Sequence, residues 1–121
     1  MAGASAHYDS LAGRVCLLRC DNTCVCGAYG VQAAHIIPRS RLGRRSPLRY
    51  DQRNIIGLCP TCHAMTEKRD ELLASLVQQV KGEGVYEQLR LEARVVTKYA
   101  DSEISEMMAR YRAELKGECS G

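Results

Sequence analysis

The sequence predicts a small α+β fold, in which a short strand-and-helix core is followed by a helical C-terminal extension. Short apolar runs bounded by Pro and Gly occupy the first 69 residues, whereas apolar stripes at helical spacing begin at residue 70. The chain has 121 residues, of which 45% are hydrophobic and 26% charged; this balance fits one globular domain and excludes general disorder. No apolar run approaches about 18 residues, so no membrane-spanning segment is predicted.

Three regions are predicted along the chain. Residues 1–13 are small and polar and contain two glycines, so we expect a disordered N-terminus. This start also lacks the basic residues and apolar stretch of a secretory signal. Residues 14–69 are predicted to form the core, and residues 70–121 the helical extension.

The core is predicted to contain a strand, a loop and a helix. Apolar residues favour a strand over 31–37, which Pro38 ends. Residues 38–53 contain two prolines and a glycine, which predicts a loop. Pro60 is suited to the first turn of a helix, where its missing N–H costs nothing.

The extension is predicted to hold three helices. An apolar stripe favours the first over 70–81, and a less regular one favours the second over 85–99. Asp101 or Ser102 can cap the third, which Gly117 ends. Its stripe can pack on its own domain or form a homodimer interface, and consists of Ile104, Met107, Met108, Tyr111 and Leu115.

Positive charge is concentrated in the first half of the chain. Residues 1–69 carry ten basic and four acidic side chains, and residues 39–53 alone carry six arginines and one acid. Arginine forks match phosphate geometry, so this loop is a candidate nucleic-acid contact, the alternative being a solvated surface loop. The predicted DNA-binding residues are Arg39, Arg41, Arg44 and Arg45.

Seven cysteines in a chain without a predicted secretion signal indicate metal binding in a reducing compartment rather than disulfides. Cys59 and Cys62 form a CxxC pair, and Cys24 and Cys26 offer a second pair upstream, which together predict a structural zinc site with four cysteine ligands. A redox dithiol is the alternative for CxxC alone, and Cys20 is the alternative ligand in the first pair. Cys16 is predicted to be a small buried hydrophobe, and Cys119 to be free in a polar tail.

The segments AHIIPRS and RYDQRNIIGLCPTCH, with the cysteine pairs around them, resemble the HNH motif of the ββα-metal (His-Me finger) endonucleases. In this resemblance His35, Asn54 and His63 match the three motif residues. The layout is similar to small phage HNH proteins and weakly similar to the NinG/Rap recombination nucleases. The resemblance therefore implies a ββα-metal core around the predicted zinc site.

The resemblance also implies a metal-dependent DNA endonuclease of the cytoplasm of a bacterial or phage-infected cell. His35 would be the general base, Asn54 would orient the loop carrying it, and His63 would bind Mg²⁺ or another divalent cation. Branched or nicked DNA is a candidate substrate.

One position departs from the family pattern. Ala34 stands where relatives commonly carry a metal-binding Asp or His, and Glu67 or Asp51 could compensate. This departure motivates a second hypothesis, a catalytically inactive zinc-stabilised module that binds nucleic acid. A protein-interaction module displaying the acidic helical tail is a third.

Overall fold

The computed structural model describes residues 2–42, 46–94 and 101–117. The described chain contains five α-helices and one two-stranded antiparallel sheet, which confirms the predicted α+β class. None of these helices has the length and apolar character needed to cross a membrane. The elements are α1 (Ala2–Arg19), β1 (Gln32–His35), β2 (Ile55–Leu58), α2 (Pro60–Glu67), α3 (Asp70–Lys81), α4 (Val85–Arg94) and α5 (Asp101–Leu115).

The N-terminal segment is helical and not disordered as predicted for residues 1–13, because α1 begins at Ala2. Leu11, Ala12 and Val15 recur at helical spacing and are buried against α5. The glycines suggested a frayed segment, but tertiary packing of this apolar face outweighs their low helix propensity.

The sheet brings the two ends of the predicted core together. Gln32 of β1 pairs with Leu58 of β2, and His35 pairs with Ile55. The strand is shorter than the predicted 31–37. Between the strands, the described residues of the predicted 38–53 loop contain three short 3-10 turns. These turns are Arg39–Arg41, Pro47–Arg49 and Gln52–Asn54, and the last reaches one residue beyond that segment.

The predicted helices agree closely with the structure. Pro60 occupies the first turn of α2, and α3 has the predicted bounds, ending where Gly82 adopts a φ of 106°. Within the predicted 85–99 helix, α4 runs to Arg94, and residues 95–99 lie outside the described part. Helix α5 begins at the predicted Asp101 cap region.

Two buried clusters hold these elements together, and both cross the boundary predicted between residues 69 and 70. The first packs the sheet against Val77 of α3 and Leu89 of α4. The second packs α1 and Tyr50 against α5. The predicted stripe of α5 is therefore used within its own chain, and its buried members are Ile104, Met107, Met108 and Tyr111.

Candidate metal centre and catalytic cavity

The four cysteines predicted as zinc ligands lie together in the structure. The sulfur atoms of Cys24, Cys26, Cys59 and Cys62 all lie within 4.8 Å of one another. The Sγ atoms of Cys26 and Cys59 are 3.8 Å apart. Four sulfurs placed tetrahedrally at about 2.3 Å from zinc would be roughly 3.8 Å apart, so this four-cysteine cluster fits a structural zinc ion.

Backbone geometry on both sides explains why these thiols converge. Gly27 adopts a φ of 93°, and its N–H donates to the carbonyl of Cys24 at 2.8 Å, which closes the tight turn between the first two cysteines. On the other side, Cys59 is the N-cap of α2, and its sulfur accepts from the N–H of Cys62 at 3.5 Å.

Two of the four clustered thiols have shifted pKa values. Although burial raises it, the pKa of Cys24 is lowered to about 7 by the N–H groups of Cys59 and Cys26. Burial and the neighbouring thiols raise the pKa of Cys62 to about 12. A divalent cation bound by the cluster would favour the thiolate form of its ligands.

Cys16 and Cys20 do not join the cluster. Cys16 is buried and its pKa is raised to about 11, chiefly by burial, as expected of a small apolar side chain. The sulfur of Cys20 faces the sheet, where a Cβ added to Gly57 would approach it to 2.8 Å. Cys20 is thus a packing residue in the structure. Cys119 lies outside the described residues.

His35 and His63 line one cavity of about 220 Å³ beside the sheet. His35 is the last residue of β1, and His63 lies one turn into α2, directly after the cysteine knuckle. The antiparallel pairing of β1 with β2 brings the start of α2 back beside β1. The geometry therefore joins two residues that are 28 positions apart in the sequence.

His35 is half-buried, and its Nε2 lies 2.8 Å from the carbonyl oxygen of Arg49. A carbonyl can only accept, so Nε2 carries the proton and Nδ1 keeps its lone pair in the neutral ring. Burial lowers the pKa of His35, as do the charges of Arg39 and Arg49, whereas the Arg49 carbonyl and Asp9 oppose the shift. The ring is therefore neutral, and able to accept a proton at Nδ1, at neutral pH.

Asn54 holds the backbone that follows His35. The side chain is completely buried; its Oδ1 accepts from the N–H of Ile37 at 2.8 Å, and its Nδ2 donates to the carbonyls of Ile37 and Leu48. In addition, its own carbonyl accepts from the N–H of Ile36. These bonds are of the kind predicted for a residue that orients the loop after β1.

His63 is also held by one ring nitrogen, which is Nδ1 and not the Nε2 that holds His35. Its Nδ1 lies 2.8 Å from Oε1 of Gln32, an acceptor, so Nδ1 donates there and Nε2 is the ring nitrogen left to bind a cation. Nε2 lies 3.4 Å from Oε1 of Glu67, one helical turn further along α2. A divalent cation would find an imidazole nitrogen and a carboxylate oxygen here.

Ala34 also lines the cavity and offers no ligand atom. Of the two acids considered as substitutes, Glu67 lines the cavity together with Asp70. Asp51 instead caps the turn before β2 and pairs with Arg53 at 2.9 Å. The structure therefore supports Glu67, and not Asp51, as a candidate replacement ligand.

The predicted DNA-binding arginines have different surroundings. Arg41 lines the cavity, whereas Arg39 pairs with Asp9 at 2.8 Å and is half-exposed. Arg44 and Arg45 lie outside the described residues. Two further arginines of the loop are committed to structural ion pairs: Arg49 with Asp9, and Arg53 with Asp51 and Glu92.

Sequence reasoning missed several residues around the cavity. Asp9 of α1 accepts from both Nε and Nη2 of Arg49, whose carbonyl holds His35. Arg90 and Tyr86 of α4 form another part of the wall. No local pattern marks these residues, because each reaches the site from an element distant in sequence.

A comparison with protein families agrees with this geometry. The family described as HNH endonuclease matches residues 16–69. This segment is an HNH domain. It contains the four clustered cysteines, His35, Asn54 and His63, while α3, α4 and α5 lie beyond it. No curated protein and no solved structure gives a significant match to the chain.

The family match supports a nuclease or nucleic-acid-binding role for the HNH domain. The four-cysteine cluster gives it a site able to hold a metal ion such as zinc. Because α3 and α4 supply Asp70, Leu73, Tyr86 and Arg90 to the cavity wall, the HNH domain does not form this cavity alone.

Proposed function

We propose that this protein is a metal-dependent DNA endonuclease that hydrolyses phosphodiester bonds, with His35 as general base. The observation that carries the proposal is that His35 and His63 line one cavity, each with one ring nitrogen held by a hydrogen bond to a protein oxygen. The HNH family assignment supports the same reaction class.

In the proposed reaction, Nδ1 of His35 takes a proton from a water molecule. The water oxygen attacks phosphorus, and the bond from phosphorus to the 3′ oxygen breaks. The Arg49 carbonyl keeps the Nε2 proton in place, and Asn54 keeps the chain after His35 in register. Proton transfer of this kind typically contributes about 100- to 10,000-fold in rate.

His63 would hold a divalent cation such as Mg²⁺ through Nε2, with Glu67 as a second ligand in place of the missing one at Ala34. When bound, that cation supplies stabilisation of the negative charge that develops on the phosphate and the leaving oxygen. The zinc at the four-cysteine cluster is proposed to be structural, since four thiolates leave no open coordination position.

The proposed substrate is DNA, with branched or nicked forms as candidates. Arg41 beside the cavity and the exposed face of Arg39 would contact backbone phosphates. Contacts of this kind give little sequence preference. Arg44 and Arg45, which lie outside the described residues, are proposed as further phosphate contacts on the basis of the sequence.

The decisive experiment is a plasmid-nicking assay with Mg²⁺ or Mn²⁺. We expect wild type to nick DNA and His35→Ala to lose at least about 100-fold in rate, because the base is removed. His7→Ala is the matched control, since His7 is exposed on α1 and does not line the cavity. Equal rates for wild type and His35→Ala would refute the proposed base.

The second candidate function is a catalytically inactive module that binds nucleic acid. Ala34 in the cavity wall favours it, because a position that could supply a metal ligand supplies a methyl group. This alternative predicts that wild type and His35→Ala both shift labelled DNA in a gel and that neither nicks it. Binding that weakens steeply with salt would then distinguish it from a protein-interaction module.

A further inference from the structure

Helix α4 lies outside the HNH domain but walls the cavity that contains both histidines. Tyr86 and Arg90 are one helical turn apart on α4, and both line the cavity. The position of α4 is fixed, because Leu89 is completely buried and Glu92 makes two hydrogen bonds to Arg53. The wall therefore presents Arg90 at a defined place.

The charges around the cavity distinguish Arg90 from most other arginines nearby. Arg39, Arg49 and Arg53 all form ion pairs with carboxylates. Within the described residues, neither Arg90 nor Arg41 makes an ion pair, and both line the cavity. The guanidinium of Arg90 lies over the ring of Tyr86, 5.8 Å from its centroid, which orients it without neutralising its charge.

Two arginines that make no ion pair, beside two imidazoles, suit a phosphate group. The carboxylates of Glu67 and Asp70 line the same cavity, and the divalent cation proposed at His63 would offset their charge. A guanidinium fork binds phosphate oxygens through paired N–H groups. The cavity, at about 220 Å³, is smaller than the roughly 300–1,000 Å³ of sites that enclose a whole small ligand. It therefore suits one phosphate of a longer chain rather than a free nucleotide.

We propose that Arg90 binds a backbone phosphate of the DNA strand that enters this cavity, so that α4 forms part of the nucleic-acid site. This inference rests on the proposed function for the identity of the ligand. It assigns a DNA contact to the C-terminal helices, which the family match does not cover. Arg41 contributes a second phosphate contact from the turn after β1.

The test measures binding of a fluorescein-labelled DNA oligonucleotide, single-stranded and duplex, by fluorescence anisotropy over a salt series. All proteins carry His35→Ala to prevent cleavage. Arg90→Met removes the charge while keeping an unbranched apolar stem over Tyr86. Arg94→Met is the matched control, because Arg94 is exposed on the same helix and does not line the cavity.

We expect Arg90→Met to weaken binding roughly 10-fold. The slope of log affinity against log salt concentration should become shallower by about 1, because one phosphate contact is lost. Arg94→Met should change binding less than about 2-fold, and melting temperatures of the two variants should agree. Equal affinities for Arg90→Met and Arg94→Met would overturn the inference.

The outcome separates this inference from the proposed function. Nicking by wild type with no effect of Arg90→Met on binding would refute the role of α4 and leave the nuclease proposal standing. Binding that depends on Arg90, in a protein that does not nick DNA, would support the phosphate contact and refute the nuclease.

Discussion

His35 illustrates how one hydrogen bond can set the chemistry of a residue. The Arg49 carbonyl fixes the proton on Nε2, and the Arg49 side chain is itself held by Asp9 of α1. The proposed base is thus supported through a chain of contacts that begins in the N-terminal helix. Asp9 acts as a positioning residue in this scheme, because it holds the Arg49 side chain. Its charge also opposes the lowering of the His35 pKa.

This arrangement predicts the pH dependence of cleavage. A general base must be neutral, and burial lowers the pKa of His35 below the ordinary value of 6.5. Activity should therefore persist as the pH falls to 6.5 and decline only below it. The acidic limb of kcat/KM against pH, together with an NMR titration of the His35 ring, measures this. A midpoint above 6.5 assigned to His35 would contradict the prediction.

Asp9→Asn provides the paired experiment. Removing its charge leaves Arg39 and Arg49 without their acidic partner, so the pKa of His35 should fall further and the acidic limb should move to lower pH. Glu92→Gln is the matched control, because it removes a carboxylate from Arg53 without touching the His35 network. An equal shift in both variants would indicate a general charge effect.

At the scale of elements, the four-cysteine cluster joins the loop before β1 to the start of α2. The sheet between them has four residues in each strand, too little on its own to hold the two histidines in place. Apparent zinc-binding free energies in small modules are about 10–16 kcal/mol, comparable with the total stability of a domain. The metal is therefore expected to stabilise the cavity wall that carries His63.

Elemental analysis checks this expectation. Wild type should contain one zinc per chain, and Cys62→Ser should lose it and melt at a lower temperature. Cys20→Ala is the matched control, since Cys20 packs against the sheet outside the cluster and should keep its zinc. Full zinc content in Cys62→Ser would exclude Cys62 as a ligand.

Local sequence signals predicted those elements that local forces determine. The α3 stripe, the end of that helix at residue 81 and the Pro60 start of α2 all arise from neighbouring residues. The α1 helix was missed because burial against α5, nearly 100 residues later, outweighs its glycines. Asp9 and Arg90 were missed for the same reason, since side-chain partners across elements depend on the folded arrangement.

At the scale of the whole molecule, the two ends of the described chain pack against each other. Helix α5 packs on α1, and Arg19 makes two hydrogen bonds of 2.8 Å to Glu114. Because α1 also carries Asp9, the C-terminal helix supports the network that positions His35. The helices after the HNH domain are therefore part of the structure that holds the site.

This dependence predicts that truncation after residue 100 prevents stable folding. Four side chains of α5 are buried, and each contributes about 1.5–3 kcal/mol, so their joint loss approaches the roughly 5–15 kcal/mol stability of a typical domain. Met108→Ala removes only one of these side chains. It should lower the free energy of unfolding by about 2–5 kcal/mol, because Met108 is completely buried. Glu106→Ala changes an exposed residue of the same helix and should lower the free energy of unfolding by less than about 0.5 kcal/mol. Urea unfolding measures these values, and a truncated chain as stable as wild type would show that α5 is dispensable for the core.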